Sequence, residues 1–317
     1  MPKVSVVIPL YNKEKHIVRA IQSVFAQTVQ DFEIVVVDDG STDGGSEVVR
    51  NIQDDRVKLI RQPNAGVSTA RNRGIQEANG ELIAFLDADD TQKTEFLATV
   101  LHLSKVFPEA GICCTAYELV EPSGKVWIPD YKGIPPAPWE GIIPDYIYSA
   151  LGDPPAFTSA VAIPKRIFSK VGFFNVSERI GEDLDLWLRI AIKYPVAFSH
   201  KIGATYFRDA MNRANSFDSG IMGAGKALKN TALKALQEGI VVGKSSGFLQ
   251  EYIYKKDLEA ATIMMWAGQR KEAFGLLREI RTRIFFTKKV LLYLCLFIPH
   301  KIVLVFFELK NKIFGLK

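Results

Sequence analysis

The sequence has few cysteines and lacks several patterns that would assign it to a well-defined functional class. Its three cysteines, Cys113, Cys114 and Cys295, have neither the spacing of a zinc site nor that of a disulfide framework, which favours a reducing compartment. The first nine residues lack the charged start, apolar core and small-residue cleavage site of a signal peptide, so we interpret them as a strand. Gly225 and Lys226 lack the glycine spacing and following hydroxyl residue of a phosphate-binding P-loop.

Net positive charge is also absent over most of the chain, although the whole chain has a net charge of +5. Residues 281–317 hold eight basic residues and one acidic residue, a local net charge of +7. The preceding residues are therefore slightly acidic in sum. This balance excludes a basic nucleic-acid-binding surface over the body of the protein, and we expect no nucleic-acid partner.

The basic tail has no uninterrupted apolar run long enough to span a membrane. Residues 290–307 are mostly apolar, but Pro299, His300 and Lys301 interrupt them, and a charge inside a spanning helix is unfavourable. Two short segments lying on the inner leaflet, with lysines on anionic lipid, fit better. We therefore predict a cytoplasmic protein that associates peripherally with the inner face of the cell membrane. The alternative is a helix packed on the protein body or on a partner chain.

Strand and helix patterns alternate over about the first 90 residues. Short apolar runs occur at 4–8, 32–37, 57–60 and 82–86, with helical periodicity between them. Runs without polar alternation are typical of strands covered on both faces. This order predicts an α/β fold, with a Rossmann-like, mostly parallel sheet covered by helices.

The apolar run 82–86 ends in three carboxylates, Asp87, Asp89 and Asp90. If the strand continues to Asp89, then Asp87 and Asp89 point to the same side. Two such carboxylates repel unless a cation lies between them, and hard oxygen ligands suit Mg²⁺ or Mn²⁺. The alternative is an acidic turn into a helix, with Asp90 or Thr91 as the N-cap.

Polar groups follow three of the predicted strands, at 9–12, 38–39 and 87–89. Ligands of open α/β sheets bind outside the carboxyl ends of the strands. An aromatic residue, a carboxylate able to accept from a base or ribose, and a metal-binding pair together predict a site for a nucleoside diphosphate.

These motifs, in this order and spacing, resemble those of the family 2 glycosyltransferases of the GT-A fold, of the bacterial envelope polysaccharide type. The matching stretches are 4–12 (VSVVIPLYN), 37–43 (VDDGSTD), 64–66 (NAG) with 70–74 (ARNRG), and 86–90 (LDADD). The resemblance covers roughly residues 3–215. It implies an inverting hexosyl- or N-acetylhexosaminyl-transferase with a UDP-sugar donor, a saccharide or lipid-linked acceptor, and Mg²⁺ or Mn²⁺ as cofactor.

The resemblance also implies roles for individual residues on the donor side. Pro9 and Tyr11 would line the base pocket, and Asp39 would contact the uracil. Arg71 would lie near the base or ribose. Asp87 would bind the ribose or a metal-bound water, and Asp89 would bind the metal. The alternative for Arg71 is a solvated helix arginine.

On the acceptor side, the resemblance implies that Asp183 is the catalytic base. Displacement at an anomeric carbon needs a carboxylate that takes the proton of the acceptor hydroxyl. The alternative for the acidic stretch 182–185 is stabilisation of a helix start. Where such enzymes often have a histidine beyond a Tyr-Arg pair, this chain has residues 206–213 instead. We therefore expect Glu182, Arg208 or Arg213 to meet the diphosphate or the acceptor.

The remaining stretches suggest a division of the chain. We predict a GT-A catalytic domain over 1–218, with a nucleotide-sugar half at about 1–110 and an acceptor half at about 111–218. A helical extension follows at 219–280, and a basic apolar membrane-associating tail at 281–317. Residues 129–155 hold seven prolines with aromatic residues between them, and form either an acceptor-binding loop or a stiffened connection.

Two rival functions remain open at this point. A nucleotide-sugar pyrophosphorylase shares the nucleotide-binding logic, but it carries a glycine-rich, lysine-ending loop after its first strand, where this chain has residues 10–14 (LYNKE). A catalytically silent nucleotide-sugar-binding module would be expected to lose its acidic residues, whereas Asp87, Asp89 and Asp183 are all present.

Overall fold

A computed structural model describes residues 2–208 and 225–298 of the chain. Its centre is a ten-stranded mixed sheet with helices on both faces. The strands are β1 (Val4–Leu10), β2 (Phe32–Asp38), β3 (Val57–Arg61), β4 (Leu82–Phe85), β5 (Thr91–Gln92), β6 (Ile112–Val120), β7 (Val126–Trp127), β8 (Glu140–Ile142), β9 (Val161–Pro164) and β10 (Val196–Phe207). The helices are α1 (Glu14–Phe25), α2 (Gly45–Arg50), α3 (Val67–Glu77), α4 (Phe96–Val106), α5 (Tyr146–Ser149), α6 (Phe168–Val171), α7 (Glu182–Ala191), α8 (Lys226–Gln237), α9 (Lys244–Trp266), α10 (Arg270–Glu279) and α11 (Phe286–Cys295).

The strand order is β3-β2-β1-β4-β9-β6-β10-β5, with β7 beside β6 and β8 beside β10. The first four strands of this order are parallel to one another, and β6 and β10 are parallel to each other. Strand β9 runs antiparallel between β4 and β6. Because β1, β2 and β4 run in the same direction, the loops that follow them meet at one edge of the sheet.

Alternate residues of the parallel strands enter two different cores. Val7 and Val35 pack on one face, with the buried side of α3. Val6 and Ile34 pack on the other, with the buried side of α1. Covering both faces explains why these strands are unbroken apolar runs rather than alternating ones.

Helix α3 lies unusually close to β1. A Cβ atom added at Gly74 would lie 2.3 Å from Cγ1 of Val7, so a side chain there would push the helix away from the sheet. The close approach holds Arg71, one turn earlier on α3, beside the carboxyl edge of the sheet.

The C-terminal helices divide into two packing groups. Helix α8 and the first half of α9 join the core of the sheet region, through residues such as Leu228 and Leu249. The second half of α9 packs with α10 and α11 in a separate cluster that includes Leu258, Leu277 and Leu292. No helix within residues 2–208 and 225–298 is both long and apolar enough to cross a bilayer.

This architecture confirms the predicted α/β fold of GT-A type with a C-terminal helical extension. The predicted boundary between residues 218 and 219, and the tail beyond residue 298, lie outside the described residues.

Candidate active site

The acidic stretch after β4 is a turn and not a continuation of the strand. Strand β4 ends at Phe85, and the N–H of Asp90 donates to the carbonyl of Asp87 (3.0 Å). The extended geometry that would align Asp87 with Asp89 is therefore absent. The alternative of an N-cap at Asp90 or Thr91 is also wrong, because α4 begins only at Phe96.

Asp90 anchors this turn from the inside. Its carboxyl group is fully buried, accepts from the hydroxyl of Ser159 (2.7 Å) and accepts from the N–H of Phe207 (3.2 Å). Burial, and then the charges of Asp87 and Asp89, raise the pKa of Asp90 well above its ordinary value. The buried anchor explains why the chain turns here: Asp90 must face inward to reach Ser159 and Phe207.

Arg71 joins the acidic turn to helix α7. Its guanidinium donates to Oδ1 of Asp87 (2.7 Å) and to Oε1 of Glu182 (2.6 Å), and its side chain is only 5% exposed. Burial alone would lower the pKa of Arg71, but the charges of Asp87 and Glu182 raise it above its ordinary value. The alternative of a solvated helix arginine is therefore wrong. A contact of Arg71 with the base or ribose stays a prediction.

Helix α7 begins with the acidic pair of the predicted catalytic site. Gly181 precedes it with a φ of 82°, which favours glycine, and the helix starts at Glu182. Burial, and then the charge of Asp183, raise the pKa of Glu182 to about 7, although Arg71 acts in the opposite direction. Asp183 is partly exposed in the first helical turn, where the helix dipole stabilises a carboxylate.

Two hydroxyl residues link Asp183 to the acidic turn. The hydroxyl of Thr158 donates to Oδ2 of Asp183 (3.0 Å). The next residue, Ser159, donates to Asp90 and accepts from the N–H of Asp87 (3.1 Å). The sequence analysis did not identify either residue, because a short Thr-Ser pair before a strand carries no distinctive pattern.

The carboxylate of Asp39 organises the loop between β3 and α3. It accepts from the side-chain amide of Gln62 (2.7 Å) and from the N–H groups of Ala65 (2.9 Å) and Gly66 (2.8 Å). Pro9 lies in β1 and Tyr11 follows that strand with an exposed ring, at the same edge of the sheet. The structure thus brings these three residues to one edge, and their nucleotide contacts stay predictions.

Two basic residues beside Asp89 were missed by the sequence analysis. The ammonium of Lys13 lies 2.8 Å from Oδ2 of Asp89, and Arg19 donates to the Asp89 carbonyl (2.6 Å). The guanidinium of Arg19 also lies 3.7 Å from the centre of the Phe207 ring. The available signal was positional, since Lys13 directly follows the polar end of β1.

The two arginines predicted to meet the diphosphate have different outcomes. Arg208 forms an ion pair with Oε1 of Glu121 (2.7 Å), a buried carboxylate. Arg213 lies outside the described residues. A contact of either arginine with the diphosphate or the acceptor stays a prediction.

The acidic turn offers a metal two carboxylate oxygens. Oδ1 of Asp87 is bound by Arg71 and Oδ2 of Asp89 by Lys13. The other oxygen of each group has no hydrogen-bond partner within the part of the chain that the structure describes. The same residues contain no group of three or more histidines, cysteines or carboxylates able to hold a metal. The donor set fits Mg²⁺ or Mn²⁺ if water and phosphate oxygens complete the coordination.

The proline-rich stretch 129–155 is fastened to helix α9. The Lys255 ammonium donates to the carbonyls of Ala150 (3.1 Å) and Gly152 (2.7 Å). The Tyr148 ring packs on Phe248, with ring centres 4.6 Å apart. A cavity of about 350 Å³ lies beside the earlier part of this stretch, lined by residues that include Tyr131 and His200. The stretch is therefore packed as a connection on α9, and an acceptor-binding role stays a prediction.

Comparison with known proteins finds a family match over the region that contains most of this site. The profile of Glycosyl transferase family 2 matches residues 5–146. An uncharacterized glycosyltransferase of Nostoc is 43% identical over 35% of this chain and 35% of its own length. One of Rickettsia conorii is 34% identical over 60% of this chain and 30% of its own length. The matches thus span only about a third of these curated relatives.

A solved structure has the same overall architecture. The crystal structure of S. aureus TarS in complex with UDP-GlcNAc superposes with a TM-score of 0.61. The superposition covers 92% of this chain and 79% of that one, at 17% sequence identity. At this identity the likeness establishes the GT-A fold alone. Over residues 5–146, the chain is similar to glycosyl transferase family 2.

Proposed function

We propose that this chain is an inverting, metal-dependent glycosyltransferase that moves a sugar from a UDP-sugar to a hydroxyl of a saccharide or lipid-linked acceptor. The observation that carries the proposal is a pair of links between the acidic turn and the start of α7. One runs through ion pairs from Asp87 to Arg71 and on to Glu182. In the other, Asp87 donates to Ser159, and the adjacent residue Thr158 donates to Asp183. A metal-binding turn and a candidate base are thereby held in fixed relation, as a two-substrate reaction requires.

The assignment of a UDP-sugar donor rests on the residues at one edge of the sheet and on similarity of fold to a solved structure. Pro9, Tyr11 and Asp39 follow or end the strands at the edge where α/β sheets bind ligands. Crystal structures of S. aureus TarS, which has a similar fold, contain UDP-GlcNAc or UDP. Both observations support a nucleotide-sugar donor, and the uracil contact is assigned to Asp39.

The metal assignment rests on Asp87 and Asp89. Each has one carboxylate oxygen without a hydrogen-bond partner among the described residues. A divalent ion held there would neutralise the negative charge of the departing diphosphate. Arg71 holds Asp87 in position during this step through its contact with Oδ1.

Asp183 is the proposed base. Its carboxylate takes the proton of the acceptor hydroxyl while that oxygen attacks the anomeric carbon, on the face opposite the leaving diphosphate, which inverts the configuration. Thr158 donates a hydrogen bond to Oδ2 of Asp183 and so fixes the orientation of this carboxylate. Glu182 orients Arg71 and does not itself need to exchange protons with substrate.

A UDP-release assay across a panel of UDP-sugars with Mn²⁺, repeated with a chelator, tests the proposal. We expect release of UDP from one donor sugar and its loss with chelator or in the Asp89→Ala variant. The exposed control Asp55→Ala should behave as the wild type. Formation of UTP on addition of pyrophosphate would instead indicate a pyrophosphorylase, and binding of UDP-sugars without turnover would indicate a silent binding module.

We also infer that the chain associates peripherally with the inner face of an anionic membrane. Helix α11 exposes Phe286, Leu291 and Leu294, and Phe297 just beyond it is 84% exposed. The exposed basic residues Arg281, Arg283 and Lys288 lie in or just before this helix. Exposed apolar and basic side chains together are typical of interfacial helices. Sedimentation with anionic vesicles, and release by high salt, test this inference.

A further inference from the structure

The loop between β1 and α1 carries a lysine that reaches across to the acidic turn. The ammonium of Lys13 and Oδ2 of Asp89 are 2.8 Å apart, and the two side chains are only 12% and 13% exposed. Solvent therefore screens this ion pair much less than it screens a pair on the surface. A charge this close must affect whatever else binds to Asp89.

The backbone of Lys13 is fixed while its side chain can move. Its carbonyl accepts from the N–H groups of His16 (2.9 Å) and Ile17 (3.0 Å) in the first turn of α1. The preceding Asn12 accepts from the N–H of Thr42 (2.8 Å), on the loop after β2. A lysine side chain has four flexible carbons, so the ammonium can shift by several ångströms without any backbone change. Lys13 follows β1, at the edge of the sheet assigned to the donor.

Asp87 and Asp89 each have a cationic partner before any ligand binds. Asp89 is paired with Lys13, and Asp87 shares Arg71 with Glu182. A divalent cation alone must therefore compete with an ammonium that already neutralises one of its ligands. A diphosphate changes this balance, because it supplies negative charge both to the metal and to a displaced ammonium. Metal and diphosphate should consequently bind better together than separately.

We propose that Lys13 is a tethered cation, which neutralises Asp89 in the donor-free protein and moves to the donor's diphosphate when a divalent ion takes Asp89. The proposal rests on the proposed function and adds a diphosphate-binding residue to it. It also assigns Lys13 a positioning role, since the residue holds the Asp89 carboxylate in place while the donor is absent.

The first half of the test uses Mn²⁺ alone, without nucleotide, and reads free Mn²⁺ by electron paramagnetic resonance. Lys13→Met should bind Mn²⁺ about tenfold more tightly than the wild type, the low end of what a charge at ion-pair distance does to a carboxylate. Lys13→Arg keeps the charge and should stay close to the wild type. Lys58→Met, which breaks the more exposed pair with Glu77 on the β3 edge, is the matched control and should leave Mn²⁺ affinity unchanged.

The second half measures UDP affinity by calorimetry at saturating Mn²⁺. Lys13→Met should weaken UDP binding about tenfold, since it removes a cation near the diphosphate. Unchanged Mn²⁺ affinity or unchanged UDP affinity in Lys13→Met would overturn the proposal. Thermal melts check folding, and Lys13→Gln provides a second neutral side chain if the methionine variant is unstable.

Failure of the proposed function has a different signature. A wild-type protein that binds no UDP, with or without Mn²⁺, would refute the nucleotide-sugar donor, and with it the transfer of Lys13 to a diphosphate. The Mn²⁺-only comparison would still report whether Lys13 competes with a metal for Asp89. Wild-type UDP binding that depends on Mn²⁺, with no effect of Lys13 on either ligand, would overturn the tethered cation alone.

Discussion

The sheet region and the C-terminal helices bury their apolar side chains to different extents. Strands β1, β2 and β4 are covered on both faces, and nearly all of their apolar residues are fully buried. Helix α11 instead contributes Leu292 to a small cluster and exposes Leu291 and Leu294. A strand inside a sheet has neighbours on every side, whereas among the described residues an amphipathic helix such as α11 packs mainly through one face.

The two regions also differ in how they use charge. In the sheet region, Arg71 and Lys13 are shielded from solvent and each binds a carboxylate of the candidate site. Near α11 the basic residues Arg281, Arg283 and Lys288 are exposed. The sheet region therefore shields the charged groups of the candidate site from solvent, and the last described helix leaves its basic residues exposed.

The largest effect is expected at the proposed base. Asp183→Asn preserves shape but removes the group that accepts a proton, so transfer should fall by about 10²–10⁴-fold. UDP affinity should be unaffected, because Asp183 contacts Thr158 rather than the donor edge of the sheet. Turnover by UDP release and affinity by calorimetry are compared with the exposed control Asp55→Asn. Near-normal turnover of Asp183→Asn would rule out the assignment.

The next largest effect is expected on the free energy of unfolding, where a buried arginine is compared with an exposed one on the same helix. Arg71→Met leaves Asp87 and Glu182 without their shared cation and should lower the free energy of unfolding by about 3–5 kcal/mol. Arg73→Met breaks only the exposed pair with Glu77, and should cost about 1 kcal/mol or less. Urea unfolding of both variants checks the difference. Equal losses would mean that the buried network does not stabilise the sheet region.

The third effect is a pH dependence centred on Glu182. Its pKa is about 7 in the folded protein and has an ordinary value of 4.5, so folding favours the protonated form. The resulting stabilisation is fully present below about pH 4.5 and is lost as the pH rises through about 7. The glutamine of Glu182→Gln has no carboxyl group to titrate. The free energy of unfolding of this variant should therefore rise relative to that of the wild type as the pH increases from 5 to about 8.

Urea unfolding across this pH range measures the effect of Glu182→Gln. Glu47→Gln is the matched control, because Glu47 pairs with Arg50 on the surface and should give a difference from the wild type that does not follow this pH window. A constant difference between Glu182→Gln and the wild type would show that Glu182 does not titrate in this range.

The smallest effect on folding, with a specific effect on binding, is expected at α11. The double substitution Leu291→Ser and Leu294→Ser should reduce sedimentation with anionic vesicles while changing the free energy of unfolding by less than about 0.5 kcal/mol for each substitution. Val176→Ser with Val242→Ser is the matched control, since both valines are exposed away from α11. Equal loss in the control, or no sedimentation of the wild type, would contradict membrane association.

The sequence predicted the donor half of the sheet closely, because the evidence there is local. Unbroken apolar runs gave four strands in the right places, and polar residues after them gave the functional edge. It was wrong about the extension of β4 toward Asp89. The burial of Asp90 against Ser159 turns the chain after Phe85, and that contact joins residues 69 positions apart.

The sequence by itself determined the α/β alternation, the edge that carries Asp39 and the acidic turn, and the charge of the C-terminal tail. Periodicity and composition are sufficient for these, because each depends on residues close together in the chain. Only the tertiary structure decided which charges meet. Arg71 and Glu182 are 111 residues apart, and Lys13 and Asp89 are 76 apart. Ion pairing falls off with distance in space, and the order of residues along the chain does not contain that distance.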